Sequence, residues 1–281
     1  MTSPTGIRGI DHVAILVSDL AKAESAYRRL GFRPTPIGHH NSTGTANHCV
    51  MLDADYFEVM GIVSPTAFSR QWAEAIAERE GLWGIALMTD DLRETHARLK
   101  AAGFAPTAPA EFSRPVDVNG ATSEARFTLT YLEPDAVQGV RLFVCQHHTR
   151  DLVWRPDYVG QPNGAAALAY LTLVVDDPAE AAAAYGRVFG VTPIPLSGGM
   201  AVQAGGAKIR LLSPVRAAAE FVGDPVLKHR SPVPVGLGLS VSDRRITKAA
   251  LNAGGVPYLE SAQGGLRVGS VHANGVILDF V

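Results

Sequence analysis

His12-Val13-Ala14-Ile15-Leu16-Val17-Ser18-Asp19-Leu20 opens a phrase that continues through an Ala-containing stretch to Leu30 and stops at Gly31-Phe32. His12 to Val17 has the apolar, partly β-branched character of a strand. Asp19 is placed to cap a helix, because its carboxylate can accept from free amides of the first turn. Gly31 suits the residue just past the helix end. The phrase therefore reads as strand, acidic turn, helix and glycine stop.

The phrase recurs. Gly84 to Met88, then Thr89-Asp90-Asp91-Leu92, a helix to Ala102 and Gly103-Phe104 repeat it in one register, since the shift that carries Asp19 onto Asp91 also carries Gly31 onto Gly103. Ala169 to Val175 with Asp176-Asp177-Pro178 and a helix to Phe189 is the third copy, closed by Gly190. Pro178 fits its first turn, where the missing amide has no helical acceptor. Val235 to Val241, Ser242-Asp243-Arg244, a helix to Ala253 and Gly254-Gly255 make the fourth. Each copy is followed by strand-and-turn sequence ending in an apolar strand: Tyr56 to Ile62, Val140 to Gln146, Ala207 to Leu212 and Val276 to Val281. A unit of one strand, one helix and three further strands has more apolar sheet than a single helix covers, so four units are expected to pair. Residues 151–164, with Pro156, Gly160, Pro162 and Gly164, read as a linker between halves 1–150 and 165–281. Ser69 to Glu80 reads as a helical insertion. Gly198-Gly199 and Gly205-Gly206 lack the strand-to-helix context of a phosphate loop and are read as hairpin turns.

At 281 residues, 47% of them hydrophobic and 19% charged, the chain has the composition of a folded protein with a substantial core. A net charge of -2 carries no electrostatic footprint for nucleic acid or for an anionic membrane surface, and neither partner is expected. Cys49 and Cys145 lie inside strand-like runs without CxxC spacing and read as core thiols. Met1 to Gly6 lacks the features of a signal peptide and no apolar run is long enough to span a bilayer, so a cytoplasmic location is expected.

Two polar residues interrupt the first unit's strands: His12 in its first and Glu58 in its last. Burying such a group unpaired costs roughly 2 to 7 kcal/mol, so each needs a partner. A hydrogen bond supplies one, as does a metal ion.

Strand-helix-three-strand units in tandem, with His in a first strand and Glu in a last strand, resemble the vicinal oxygen chelate superfamily, whose members include glyoxalase I, extradiol dioxygenases, methylmalonyl-CoA epimerase and the fosfomycin and bleomycin resistance proteins. The phrase Gly44-Thr45-Ala46-Asn47, followed by His48-Cys49-Val50-Met51-Leu52, is similar to the glyoxalase-like branch. The resemblance implies an α+β fold of four βαβββ modules in tandem, paired into two cup-shaped antiparallel or mixed sheets. It also implies a divalent metal on the concave face, held by first and last strands, with Zn, Fe, Mn, Ni and Mg equally open. His12 and Glu58 occupy those positions in the first unit. The corresponding pairs elsewhere are Gly84 with Phe143, Tyr170 with Arg210 and Gly236 with Asp279. Of these only Asp279 suits a metal, so the second half is expected to be structural.

The expected metal set is His12, Glu58 and His48, the last lying in the third strand of the same unit, with Glu58 and His48 as the catalytic pair. Strand register decides whether His48 shares a face with Glu58. His39, His40, Asn47 and His147 are the expected substrate-binding residues. For His39 and His40 the competing reading is a pair of exposed loop residues, and for Asn47 it is a turn-closing role. His147 and His148 point to opposite faces of a strand, so only one of them can enter a cup.

These readings point to a metal-dependent enzyme acting on a small oxygen-bearing molecule by isomerase- or lyase-type chemistry through a stabilised enolate or alkoxide. An extradiol-type Fe(II) dioxygenase is the alternative if a second histidine joins the site. A non-catalytic binding protein, as in bleomycin resistance, is the third reading. The expected partner is a small-molecule substrate, in a monomer or homodimer.

Overall fold

A computed structural model describes residues 3–40, 42–118, 120–261 and 264–281. The first unit comprises β1 (Gly9–Leu16), α1 (Leu20–Arg29), β2 (Gly38–His40), β3 (Thr45–Met51) and β4 (Tyr56–Ile62). After α2 (Arg70–Glu78) come β5 (Gly81–Met88), α3 (Leu92–Ala101), β6 (Ala110–Val118), β7 (Ala121–Tyr131) and β8 (Arg141–His147). The third unit is β9 (Ala165–Val174), α4 (Pro178–Phe189), β10 (Ile194–Leu196), β11 (Gly199–Ala204) and β12 (Ala207–Leu212). A further helix, α5 (Pro214–Glu220), precedes β13 (Val233–Val241), α6 (Arg244–Ala253), β14 (Leu259–Glu260), β15 (Leu266–Val268) and β16 (Ile277–Phe280).

The caps behave as their chemistry requires. The Asp19, Asp91, Asp177 and Asp243 carboxylates each accept from an amide in the first turn of α1, α3, α4 and α6. Gly31, Gly103, Gly190 and Gly255 take positive φ where those helices end, a conformation that a side chain would strain. Asp19 and Gly31 thus delimit α1 from both ends, and their counterparts do so in the other copies.

Units pair into two mixed sheets of eight strands with the same order, β2-β3-β4-β1-β5-β8-β7-β6 and β10-β11-β12-β9-β13-β16-β15-β14. At the centre of the first, β1 runs antiparallel to β5 and parallel to β4. In every unit the first and last strands pair in matching register: Ala14 faces Glu58, Ala86 faces Phe143, Thr172 faces Arg210 and Gly238 faces Asp279. Alternation sorts their side chains. Val13, Ile15, Phe57 and Val59 point to the helix side, where one buried cluster continues into Leu171, Leu173 and Leu278 of the second sheet. Tyr27 of α1 and Tyr185 of α4 are fully buried there, and each hydroxyl donates to a carbonyl, of Ala273 and Gln138 respectively. Residues between the two sheets are tied down as well: Asn163 donates to the Leu30 carbonyl and Gln161 to that of Met51.

The opposite faces differ. On the second sheet, α5 and its continuation fill the hollow with Ala217, Phe221 and Val226 against Val174, Leu212 and Ile277. There Arg210 donates twice to Glu220 of α5, and Arg267 twice to Asp279, which also accepts from Tyr170. On the first sheet the hollow stays open, with α2 at its margin through Trp72, packed on Leu16 and Met60. No helix among the described residues is long and apolar enough to cross a membrane.

Candidate active site

The open hollow of the first sheet is a cavity of about 300 Å³. Its walls are apolar and aromatic, with Trp72, Trp83, Phe112, Phe127 and Phe143 prominent, and its polar groups are few: His12, His40, Asn47, Glu58, Glu111 and Arg114 among them. An apolar pocket with convergent polar groups is the usual form of a small-molecule site. Other hollows of comparable or larger volume, about 320 Å³ beside α2 and about 450 Å³ beside α5, are lined by His229 with Glu78 or Asp176, but among the described residues His229 forms no close pair with either carboxylate.

The parallel pairing of β1 with β4 puts His12 and Glu58 on the same face. His12 Nε2 and Glu58 Oε1 are 3.8 Å apart, too far for a hydrogen bond. Both atoms belong to buried residues. The His12 ring is stacked on Tyr56 at 4.4 Å and meets the Phe143 ring edge-on at 5.5 Å, which fixes its plane.

Behind His12 lies Asp11. The pairing of β1 with β5 steps from Ile10 opposite Leu87 to His12 opposite Ala86, so Asp11 is the extra residue of a β-bulge. Its fully buried carboxylate meets two rings: Oδ2 is 2.8 Å from His12 Nδ1 and 3.0 Å from His147 Nε2. Arg150 Nη1 lies 3.5 Å from Oδ1. Burial alone raises the Asp11 pKa, but the hydrogen bonds and charges of His12 and His147 outweigh it and hold the carboxyl well below the usual range. An ionised carboxylate only accepts, so both imidazoles donate to it. With Nδ1 held by Asp11, Nε2 is the His12 nitrogen that faces the cavity.

Glu58 is oriented in the same way. Its Oε2 accepts from Asn47 Nδ2 at 2.6 Å, which leaves Oε1 for the cavity. His40 lines the same space with its Nδ1 3.0 Å from the Thr45 hydroxyl, and burial pushes its pKa down to about 4, so the ring is neutral at pH 7. Cys49 and Cys145 are free, and burial pushes the Cys49 thiol up to about 12, consistent with packing rather than nucleophilic use.

Of the residues singled out in the sequence, the fold gathers His12, Glu58, Asn47 and His40 around the cavity and sets His147 behind His12 through Asp11. Two expectations are corrected. His48 cannot complete a set with His12 and Glu58, because Asn47 and Cys49 face the cup and strand alternation turns His48 to the helix side, where its Nδ1 lies 2.7 Å from the Thr35 carbonyl and Nε2 lies 3.9 Å from Glu24 of α1. His39 is exposed, on the face of β2 opposite His40. Asn47 positions Glu58 rather than closing a turn. Asp11, Tyr56 and Arg114 belong to the site and were not anticipated. Strict alternation would put Asp11 on the other face from His12, and the bulge that overrides it has no signature in the local sequence.

A divalent cation fits this donor set in part. Bonds of about 2.0 to 2.2 Å to one ion separate two ligand atoms by about 3 to 4 Å, the spacing between His12 Nε2 and Glu58 Oε1. A buried carboxylate on the far nitrogen of a ligating histidine is also the arrangement that metal sites use to fix tautomer and ring. A second group, Asp11, His12 and His147, has ligating atoms all within 4.8 Å of one another, the only such trio among the described residues. There, however, the atoms already bond each other, and Arg150 supplies positive charge to Asp11.

The profile of a family described as "Glyoxalase-like domain" matches residues 10–189, well over half of the chain. No curated protein sequence matches. Among solved structures, a hypothetical protein from Staphylococcus aureus superposes with a TM-score of 0.70 at 10% identity, covering 97% of this chain and 98% of that one. A mutant 4-hydroxymandelate synthase from Streptomyces coelicolor gives 0.65 at 14% identity, covering 98% and 92%. A xylose isomerase-like TIM barrel/4-hydroxyphenylpyruvate dioxygenase fusion protein gives 0.60 at 16% identity, covering all of this chain and 49% of that one. Identities this low speak for the fold alone. With its paired βαβββ units and the family match across the first sheet, the chain belongs to the glyoxalase-like family of the vicinal oxygen chelate superfamily.

Proposed function

We propose that the chain is a metal-dependent enzyme that binds a small, largely apolar, oxygen-bearing organic molecule in the first cup and carries out isomerase- or lyase-type chemistry on it. One observation carries this reading: His12 Nε2 and Glu58 Oε1 converge at 3.8 Å on the cavity, while their other polar atoms are held by Asp11 and Asn47. His12 and Glu58 would hold the cation, which when bound supplies Lewis-acid polarisation of a substrate oxygen. Glu58 is also the carboxylate placed to take a proton from the carbon beside that oxygen and return it elsewhere on the molecule, an exchange that needs no redox partner. Asn47 keeps the Glu58 carboxylate aimed, and the aromatic walls exclude water from it. Protein purified without chelator is expected to retain metal, and His12→Ala and Glu58→Gln are each expected to lose most of it. Equal metal content in all three would sink the proposal.

The Asp11, His12 and His147 trio favours a second reading, since two histidines and one carboxylate are the ligands of non-haem Fe(II) oxygenases. In that case His147→Ala abolishes iron binding, and iron-loaded protein consumes oxygen with simple catechols. Under the leading reading His147→Ala keeps its metal and no oxygen is consumed. A purely binding role predicts ligand affinity that survives both His12→Ala and Glu58→Gln, with no turnover.

A further inference from the structure

The same cavity holds a guanidinium with no acceptor among the described residues. Arg114 lies on β6 between Phe112 and Val116, the inward-facing positions of that strand, and lines the cup opposite the His12 strand. Among the described residues no carboxylate, carbonyl or hydroxyl is bonded to it. Its setting is crowded on one side only: a side-chain carbon at Gly38 of β2 would lie 2.9 Å from Arg114 Nη1 and 2.7 Å from Asn47 Oδ1. The absence of a side chain at Gly38 is thus what lets Arg114 reach the neighbourhood of Asn47, whose amide nitrogen holds Glu58. The guanidinium therefore sits at the polar end of the cavity, one side chain removed from the proposed reacting centre.

The second cup shows what such a group does when it is satisfied. Arg210 there takes both carboxylate oxygens of Glu220, at 2.7 and 2.9 Å, and Glu220 arrives on α5, the helix that fills the hollow. Among the described residues no carboxylate pairs with Arg114 in the first cup, where α2 stops at the margin and Glu111 of β6, though it lines the cavity, makes no bond to the guanidinium. A half-buried guanidinium is costly to leave without an acceptor in an apolar wall, and its fork matches a carboxylate with two parallel bonds.

We propose that the ligand of the first cup is an organic carboxylate: Arg114 binds its anionic end, the aromatic walls cover an apolar body, and its reacting oxygen lies toward His12 and Glu58. One guanidinium, with the Glu58 carboxylate close by, matches a single negative charge better than the double charge of a phosphate monoester. Arg114 is then a specificity-determining residue. The inference rests on the reading of this cavity as the substrate site, and its test is independent of metal content.

The test is calorimetric titration of the full chain with 3-phenylpropanoate, its neutral amide 3-phenylpropanamide, and phenyl phosphate. The wild-type chain is expected to bind the acid at least tenfold more tightly than the amide and more tightly than the phosphate. Arg114→Gln should bring the acid to the level of the amide and leave the amide unchanged, with part of the preference restored in Arg114→Lys. Because Arg114 has no partner among the described residues, its replacement strands no buried group. His12→Ala should keep the preference for acid over amide even where its metal is lost. No acid binding by the wild-type chain, equal binding of acid and amide, or a preference for the phosphate overturns the assignment. So does a preference that vanishes in His12→Ala and survives in Arg114→Gln, which would place the carboxylate at the metal position.

Discussion

Asp11 orients the two imidazoles behind the site. Its carboxylate bonds Nδ1 of His12 and so turns Nε2 to the cavity. Asp11→Asn can keep an oxygen where both imidazoles bond, at Oδ2, but it removes the negative charge facing both rings and sets an amide N–H2 donor, with no acceptor, at the Oδ1 position opposite Arg150. The expected result is metal affinity lower by about 10- to 100-fold, together with a loss of about 1 to 3 kcal/mol of stability for the stranded donor. Titration with metal and urea unfolding of the same variant check the two effects, and unchanged metal affinity would remove Asp11 from the site's function. This residue also marks where reading the sequence stops. His12 and Glu58 were legible because each is a polar residue in an apolar strand at a position that a repeated unit defines. Asp11 was not, since only the bulge turns it inward, and His48 was misjudged because its face depends on a one-residue register that Asn47 decides.

Among the elements, the repeating units were the most legible, because each helix is bracketed by an Asp cap and a Gly stop and follows an apolar strand. Helix α5 was not: it is seven residues long, too short for helical periodicity to declare itself, and it is held by packing against the second sheet. The turn between β3 and β4 shows a coupling of elements with a pH signature. Asp55 in that turn accepts from the Leu168 amide of β9 at 3.0 Å, next to the bond from the Asp53 amide to the Ala166 carbonyl, which stitches the first sheet to the second. Burial, with smaller contributions from the charges of Asp11 and Asp53, pushes the Asp55 pKa up to about 6 despite the Leu168 bond. A carboxyl whose folded pKa is raised is protonated more readily in the folded chain than in the unfolded one. Its favourable contribution is therefore present below about pH 4 and is lost as pH rises toward and through about 6. Asp55→Asn, which keeps the acceptor, is expected to match the wild type near pH 4 and to exceed it by about 2 to 3 kcal/mol at pH 7. A difference in urea midpoint that does not change with pH would show that Asp55 is not the titrating contact.

Over the whole molecule, four copies of one unit give two sheets of identical strand order and two cups with opposite fates. The second is filled by its own helix and closed by Arg210, Glu220, Arg267 and Asp279, while the first remains open around His12 and Glu58. The repeat and the pairing of units were legible in the order of residues, because the unit is written four times over; the candidate pair was legible for the opposite reason, since His12 and Glu58 stand together in one copy alone. The filling of the second cup was legible only as a lack of ligands at Tyr170, Arg210 and Gly236; what replaces them depends on packing between segments far apart in the chain. The most direct test of the central claim is a crystal structure of the full chain soaked with Mn²⁺, with data collected to locate the anomalous signal. The account predicts one peak within about 2.0 to 2.4 Å of both His12 Nε2 and Glu58 Oε1. A peak among Asp11, His12 Nδ1 and His147, or none in the first cup at saturating metal, would contradict it.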